Sequence, residues 1–257
     1  MSRLGAHSSI LLTLGYRVGR SIGEGSYSKV RVAERLSPAV SNRVKVACKV
    51  IDRLKASKEF ATKFLPRELS LIKNLKHPNI VDIYEIVDLG DYVFLFVELC
   101  PLGDLLECIK ANGQLSERRA SHYFRQLMEA IKYLYLHRKN IAHRDLKCEN
   151  IFLASNSMIK VTDFGFSRSA LDPDTGRRVL SSTFCGSAAY AAPELIQGTP
   201  YNPMMCDIWS SGCILFIMVC GRMPYDDADV RCQLTAQLNR KVEYPPEAYN
   251  RYSSAIQ

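Results

Sequence analysis

The stretch His143-Arg144-Asp145-Leu146-Lys147-Cys148-Glu149-Asn150 sets a carboxylate, Asp145, and a carboxamide, Asn150, five positions apart between the apolar residues Ile141 and Ile151. On a loop, the acid can take or orient a hydroxyl proton and the amide oxygen can hold a metal. Eighteen residues past Asp145 comes Asp163-Phe164-Gly165, a second carboxylate followed by a glycine that lets the backbone turn sharply. Taken singly, Asp145 and Asp163 could be capping or turn acids, but both motifs at this separation by accident would be rare. Far upstream, Gly23-Glu24-Gly25-Ser26-Tyr27-Ser28-Lys29-Val30 can bring backbone N–H groups close to phosphate, because its glycines lack a Cβ. That motif alone is weak, since a plain hairpin turn has the same composition. A dinucleotide-binding turn is disfavoured: it would lead into a helix, whereas Val30 onward reads as a strand, and Ser28 stands in place of the third glycine.

These groups need elements to hold them. Val30 to Ala33 and Val44 to Val50 are β-branched runs separated by Ser37-Pro38 and Ser41-Asn42, and read as antiparallel strands. Glu59 to Leu75 has helical character, with Pro66 placing the start of the regular part near Leu65. Ile80 to Ile86 and Tyr92 to Glu98 read as two further strands joined by a turn at Asp88 to Asp91. From Ser116, a serine N-cap, the pattern Ala120, Phe124, Leu127, Ile131 and Leu134 marks one face of a long helix. A strand-rich front and a helical back predict an α+β fold of two lobes with a cleft between them.

The chain has 257 residues, 47% hydrophobic and 23% charged, which is ordinary globular composition with length for a sizeable core. Its net charge of +8 comes from basic residues scattered among acids, without a run long enough for a nucleic-acid arm, so neither nucleic acid nor membrane is the expected partner. The nine cysteines form no CxxC pair and no zinc spacing, and read as reduced thiols of a cytoplasmic protein. Ile10 to Leu14 is too short for a signal segment, and Ile208 to Cys220 falls short of a membrane span and reads as a buried helix.

Taken together, the glycine-rich loop, Val46-Ala47-Cys48-Lys49, Glu68, HRDLKCEN, DFG, Ala192-Pro193-Glu194 and Asp207-Ile208-Trp209-Ser210-Ser211-Gly212 resemble the protein kinase family, in its order, from about Tyr16 to the end of the chain. The likeness is greatest to the testis-specific serine/threonine kinases, on GEGSYSKVRV at Gly23 to Val32, KFLPREL at Lys63 to Leu69, HRDLKCEN with DFGFSR, and TFCGSAAYAAPE at Thr183 to Glu194. Calmodulin-dependent and AMP-activated kinases are the next nearest.

The resemblance implies a bilobal kinase-like fold. Residues 1–15 would form an N-terminal extension, 16–98 a small lobe of antiparallel sheet with one helix, 99–103 a hinge, and 104–257 a mainly helical large lobe that is incomplete at its end. It implies ATP and Mg²⁺ or Mn²⁺ as cofactors. Ile22, Gly23, Glu24, Gly25, Ser26, Tyr27 and Ser28 would cover the phosphates, with Lys49 on the α and β phosphates and Glu68 pinning Lys49. Val30 and Ala47 would lie above the adenine and Phe152 below it, with the backbone of Glu98 and Cys100 reading its edge and Val97 as gatekeeper. Asp145 would be the catalytic base, Lys147 a cation near the transferred phosphate, and Asn150 and Asp163 the metal ligands.

Lys147 points to the serine/threonine class, Thr183 to an activating phosphate paired with Arg144, and Ser187 to a place beside the phosphoacceptor. Asp104 and Glu149 imply a basic residue in the protein substrate. A role in male germ-cell differentiation and folding help from the Hsp90 system are further implications. The departure from the family is that Glu194 meets no arginine partner in this chain, an expected cost of ~3 to 5 kcal/mol for a buried carboxylate. That leaves a catalytically impaired binding or scaffold module as the alternative reading.

Overall fold

A computed structural model describes residues 3–36, 43–137, 140–172, 175–177, 179–226 and 228–246. The chain divides into two compact units, Met1–Lys76 with Val81–Leu99, and His77–Ile80 with Cys100–Gln257. The short stretch 77–80, expected in the first unit, groups with the second. Asn79 explains this: its side-chain amide donates to Gln126 Oε1 (2.7 Å) and to the Ile159 carbonyl (3.1 Å), and its own carbonyl accepts from Val161 N (2.9 Å).

In the first unit, helix α1 (Arg3–Thr13) leads through a Gly15 turn into β1 (Tyr16–Glu24), β2 (Ser28–Arg35) and β3 (Val44–Asp52). A π-helical turn (Phe60–Phe64) then runs into α2 (Leu65–Ile72), and β4 (Ile83–Leu89) and β5 (Tyr92–Glu98) complete the unit. Pro66 is the second residue of α2 and directly follows the π-helical turn, a wider winding of the kind found where the backbone ladder of a helix is interrupted. The five strands form one antiparallel sheet in the order β1-β2-β3-β5-β4. Val46, Cys48, Val50, Phe94 and Phe96 point to one face, where they form a core with Leu11, Tyr16 and Ala33.

The second unit is mostly helical: α3 (Leu105–Asn112), α4 (Glu117–Lys132), the short α5 (Pro193–Ile196), α6 (Pro203–Cys220) and α7 (Val230–Leu238). Its small strands pair as β6 (Ile141–Ala142) with β9 (Arg168–Ser169) and β7 (Ile151–Ser155) with β8 (Met158–Val161). The Ser116 hydroxyl accepts from Arg119 N, so it caps α4 as its residue type predicts. The buried face of α4 differs by one aromatic residue from the sequence pattern. Tyr123, not Phe124, is fully buried, because its hydroxyl reaches the Asn156 carbonyl at 2.8 Å. Helix α6 is 61% buried and packs on α4, in keeping with its apolar composition.

Candidate active site

The first unit presents the glycine-rich segment as a hairpin rather than a helix entry. β1 runs to Glu24 and β2 resumes at Ser28. The turn is closed by Gly25 N donating to the Ser28 carbonyl (2.8 Å) and Asp52 N to the Tyr27 carbonyl (2.9 Å), with the Tyr27 ring 4.6 Å from that of Phe60. Glu24 pairs with Lys29 at 3.0 Å, which holds its carboxyl below the usual range.

Residues paired across an antiparallel ladder share a face, as do alternate residues of a strand. Val30 is opposite Lys49, Val32 opposite Ala47, and Ala47 opposite Val97. Val30, Ala47, Lys49 and Val97 therefore lie together on the face turned away from the core that contains Cys48 and Phe96. Glu68, on the first turn of α2, is 5% exposed. Glu98 donates its N–H to the Asp82 carbonyl (2.8 Å).

In the second unit the loop after β6 is held by a single buried acid from α6. Asp207 accepts from His143 N and Arg144 N, both at 2.8 Å. Burial pushes the Asp207 carboxyl above the ordinary range, and the His143 side chain, those two N–H donors and the Tyr135 hydroxyl oppose that shift. His143 Nδ1 accepts from Asp145 N (3.3 Å), so its proton sits on Nε2, which donates to the Thr162 carbonyl (2.9 Å). Arg144 and Asp163 both have positive φ, 66° and 60°. That conformation is costly for residues with a Cβ and concentrates where surrounding contacts impose it.

These contacts gather the polar groups. Asp145 Oδ2 is 3.2 Å from Lys147 Nζ, and the Ser187 hydroxyl donates to Asp145 Oδ1 (3.2 Å) while accepting from Lys147 Nζ (2.9 Å). Asn150 Nδ2 donates to the Asp145 carbonyl (2.8 Å) and to Asp145 Oδ2 (3.1 Å), which leaves Oδ1 as the atom with lone pairs for a cation. Thr162 N donates to the Asn150 carbonyl (3.0 Å), so Asp163, the next residue, emerges at the same end of the β7–β8 hairpin. Among the described residues no group of three or more His, Cys, Asp and Glu side chains could hold a metal by itself. An amide oxygen and an exposed carboxylate nevertheless fit Mg²⁺ or Mn²⁺, which keep several waters and take phosphate oxygens as further ligands.

The remaining predicted positions fall around this cluster. Thr183 is exposed, and its carbonyl accepts from Tyr201 OH (2.9 Å). The Arg144 guanidinium donates to the Phe166 carbonyl (2.6 Å) and to Ser181 Oγ (3.3 Å), two residues from Thr183. Asp104 caps α3, accepting from Glu107 N at 2.8 Å, and its carboxyl is pushed up, first by burial and further by the charges of Glu107 and Glu149. Glu149 accepts from Tyr190 OH (3.2 Å). Phe152 lies on β7 and bridges to Asp104. Cys100 is half-buried, and the last hinge residues are tied to β7 by Leu102 N to the Leu153 carbonyl (3.3 Å) and Leu153 N to the Gly103 carbonyl (2.9 Å). The expectation of a buried, unpartnered Glu194 needs correction: the carboxylate is half-exposed, and Cys206 Sγ donates to Oε1 at 3.7 Å. All nine cysteines are free.

Two residues that organise the loop were not assigned roles from sequence. Asp207 had a visible signal, a lone acid inside the apolar run from Pro203 to Cys220. Gly186 had none beyond being glycine. It has φ +88°, and a Cβ there would sit 2.5 Å from the Arg144 carbonyl oxygen and 3.3 Å from Asp145 Oδ1.

Comparison with known proteins places this geometry in context. Residues 16–255 match the family model described as protein kinase domain. The chain is 50% identical to mouse testis-specific serine/threonine-protein kinase 1 over 241 residues, covering 93% of this chain and 64% of that protein. It is 48% identical to mouse testis-specific serine/threonine-protein kinase 2, covering 93% and 65%. Mouse testis-specific serine/threonine-protein kinase 3 is 44% identical over 236 residues, 91% of this chain and 84% of that one. The chain thus spans just under two thirds of the length of the first two relatives.

Proposed function

The chain belongs to the protein kinase family, and from that premise we propose that it transfers the γ-phosphoryl group of ATP to serine or threonine hydroxyls of proteins. The observation that carries this reading is the cluster of Asp145, Lys147, Asn150 and Ser187, joined at 2.8–3.2 Å in the second unit. In this reading Asp145 orients the acceptor hydroxyl and takes its proton, and Ser187, already bonded to Asp145, holds the carboxylate until the acceptor hydroxyl replaces that contact. Lys147 places a positive charge where the transferred group gains negative charge. Asn150 and Asp163 would hold Mg²⁺, which when bound would neutralise charge on the phosphates.

Lys49 takes the α and β phosphates, with buried Glu68 as its aiming partner, beneath the glycine-rich hairpin of residues 22–28. Val30 and Ala47 would cover the adenine from the sheet face they share with Val97, the gatekeeper position; the roles of Phe152 against the ring and of the Glu98 and Cys100 backbone at its edge rest on the family resemblance. Because Glu98 N is engaged by Asp82, the part of Glu98 assigned to adenine is its carbonyl.

Asp104 and Glu149, close enough that the Glu149 charge adds to the burial that raises the Asp104 carboxyl, favour substrates with arginine before the acceptor. Phosphate on Thr183 would recruit Arg144 from its Ser181 and Phe166 contacts and order the segment. A place in male germ cells is supported by the testis-specific names of the relatives, and a cytoplasmic setting by the nine free thiols. Assistance by an Hsp90-type chaperone rests on the family resemblance alone.

The test is phosphate transfer from labelled Mg-ATP to a basic peptide, together with thermal melting with and without Mg-ATP. Transfer abolished in Asp163→Ala, with melting of the nucleotide-free protein unchanged, supports the reading. A folded parent protein that neither labels peptide nor is stabilised by Mg-ATP refutes it, and leaves a non-catalytic binding module.

A further inference from the structure

Helix α1 lies ahead of Tyr16, where the kinase-domain match begins, yet it supplies part of the first unit's core. Leu11 is 3% exposed and packs with Tyr16, Ala33, Val46, Cys48, Val50, Val87, Tyr92, Phe94 and Phe96. The His7 ring meets the rings of Tyr92 (5.7 Å) and Phe94 (6.1 Å) edge-on. The helix therefore covers the outer face of the sheet, opposite the face that carries Val30, Ala47 and Lys49.

β1 is the strand that needs such support. Among the described residues it is an edge strand paired with β2 alone, and its ladder shifts register twice, between Val18 and Ser21 and between Ser21 and Gly23. Only Tyr16 of its nine residues is buried, with Val18 partly so, and the rest, including Gly23, is exposed. The strand is thus anchored in the core at its root, while toward its tip it is held by surface contacts with β2 alone, such as Arg31 Nε to the Gly19 carbonyl (2.7 Å) and Lys29 with Glu24 (3.0 Å). The root is fixed by the Tyr16 ring stacked on Phe96 (3.7 Å, 17°) and by the α1 turn, where Leu36 N donates to the Gly15 carbonyl (2.7 Å). Gly15 has φ +86°, and a Cβ would meet the Leu36 carbonyl at 3.1 Å, so α1 is joined to β1 by a tight corner and not a slack linker.

We infer that α1 is a positioning element for the nucleotide: Leu11, packed with Tyr16 at the root of β1, and His7, seated on Tyr92 and Phe94 of β5, hold the helix on the sheet and so set where the glycine-rich hairpin at the far end of β1 sits. The inference rests on the reading of residues 22–28 as the phosphate-covering segment. A strand with one buried anchor and a twice-shifted ladder behaves as a lever, so loosening the anchor spreads the tip over many positions of which few suit the phosphates. Affinity then falls by the fraction of competent tip positions lost, while chemistry in the ternary complex, governed by the second unit's cluster, is little changed.

The experiment compares the parent, Leu11→Asp and the milder His7→Ala by steady-state kinetics and by amide hydrogen exchange. For Leu11→Asp the expected result is a roughly tenfold rise in KM for ATP with kcat held within about twofold. Faster exchange should be confined to residues 17–25, with the β3 and β5 amides still protected. His7→Ala should move the same quantities in the same direction by a smaller factor. A helix that serves stability alone would accelerate exchange across the whole sheet and lower active concentration without splitting KM from kcat. If Leu11→Asp does not fold, His7→Ala decides, and an unchanged KM with unchanged exchange in 17–25 overturns the inference. A parent protein that shows no stabilisation by Mg-ATP would instead remove the nucleotide reading on which it rests.

Discussion

Replacing Gly186 by alanine tests whether the segment around Thr183 and Ser187 acts as a backstop for Asp145. At φ +88° an L-residue costs ~1–2 kcal/mol relative to glycine. The added Cβ would lie 2.5 Å from the Arg144 carbonyl oxygen, and ordinary contact begins near 3.4 Å, so the two must part by about 0.9 Å, which is 3.4 minus 2.5. The Arg144 carbonyl cannot easily swing aside, because Arg144 N is bonded to buried Asp207 and Asp145 N to His143. The displacement must then be taken up by residues 185–187 or by Asp145, and either breaks the 3.2 Å bond between Ser187 and Asp145. Misplacing a catalytic group by about 1 Å can cost ~10²-fold, so kcat should fall ~10- to 100-fold. A loss of ~2 kcal/mol in a domain of this size lowers Tm by only ~4–8 °C. Nucleotide stabilisation in thermal melting should survive, since the residues assigned to the phosphates lie elsewhere. Peptide phosphorylation at saturating Mg-ATP measures kcat, and a Gly186→Ala protein with near-parent kcat would show that this contact does not position Asp145.

Asp207→Ala leaves two buried N–H groups without an acceptor, at ~1–3 kcal/mol each, so urea unfolding should reveal a loss of ~2–6 kcal/mol; a loss well below 1 kcal/mol would mean that the loop does not depend on that carboxylate. Thr183→Ala should lower turnover while Tm stays within about a degree, because the side chain is exposed, and equal turnover in protein pre-treated with an activating kinase would remove the loop-phosphate idea. Asp104 has its carboxyl raised chiefly by burial, so as pH falls it takes up a proton sooner than an ordinary aspartate and loses the charge that would attract a guanidinium. The ratio of kcat/KM for an arginine-containing peptide to that for its alanine analogue should therefore shrink on acidification, and Asp104→Asn should flatten the profile.

Much of the molecule is legible in local pattern. The β-branched run at 44–50 is part of β3, Tyr92 to Glu98 is β5 to the residue, Pro66 marks the first turn of α2, and Ser116 caps α4. The spacing within HRDLKCEN leaves Asp145 and Asn150 five positions apart, with a single 3₁₀ turn closing at Asn150, near enough for the hydrogen bond that joins them. Such features depend on residues close in sequence, where backbone sterics, caps and side-chain period act without help from elsewhere.

What the sequence could not settle are choices made by distant partners. Nothing local distinguishes Ile10, Leu11, Leu12 and Leu14, yet only Leu11 is buried, because the sheet under α1 was assembled from strands whose core residues lie as far on as Phe96. Tyr123 is buried in place of its neighbour Phe124 because Asn156 offers a carbonyl to its hydroxyl. Glu194 finds the Cys206 thiol, and the loop carrying Asp145 hangs on a carboxylate 63 and 64 positions on from the amides it binds. The chain itself determines which groups are available and how each segment prefers to fold. Which polar groups lose water together, and must therefore satisfy one another, is decided only when the segments pack.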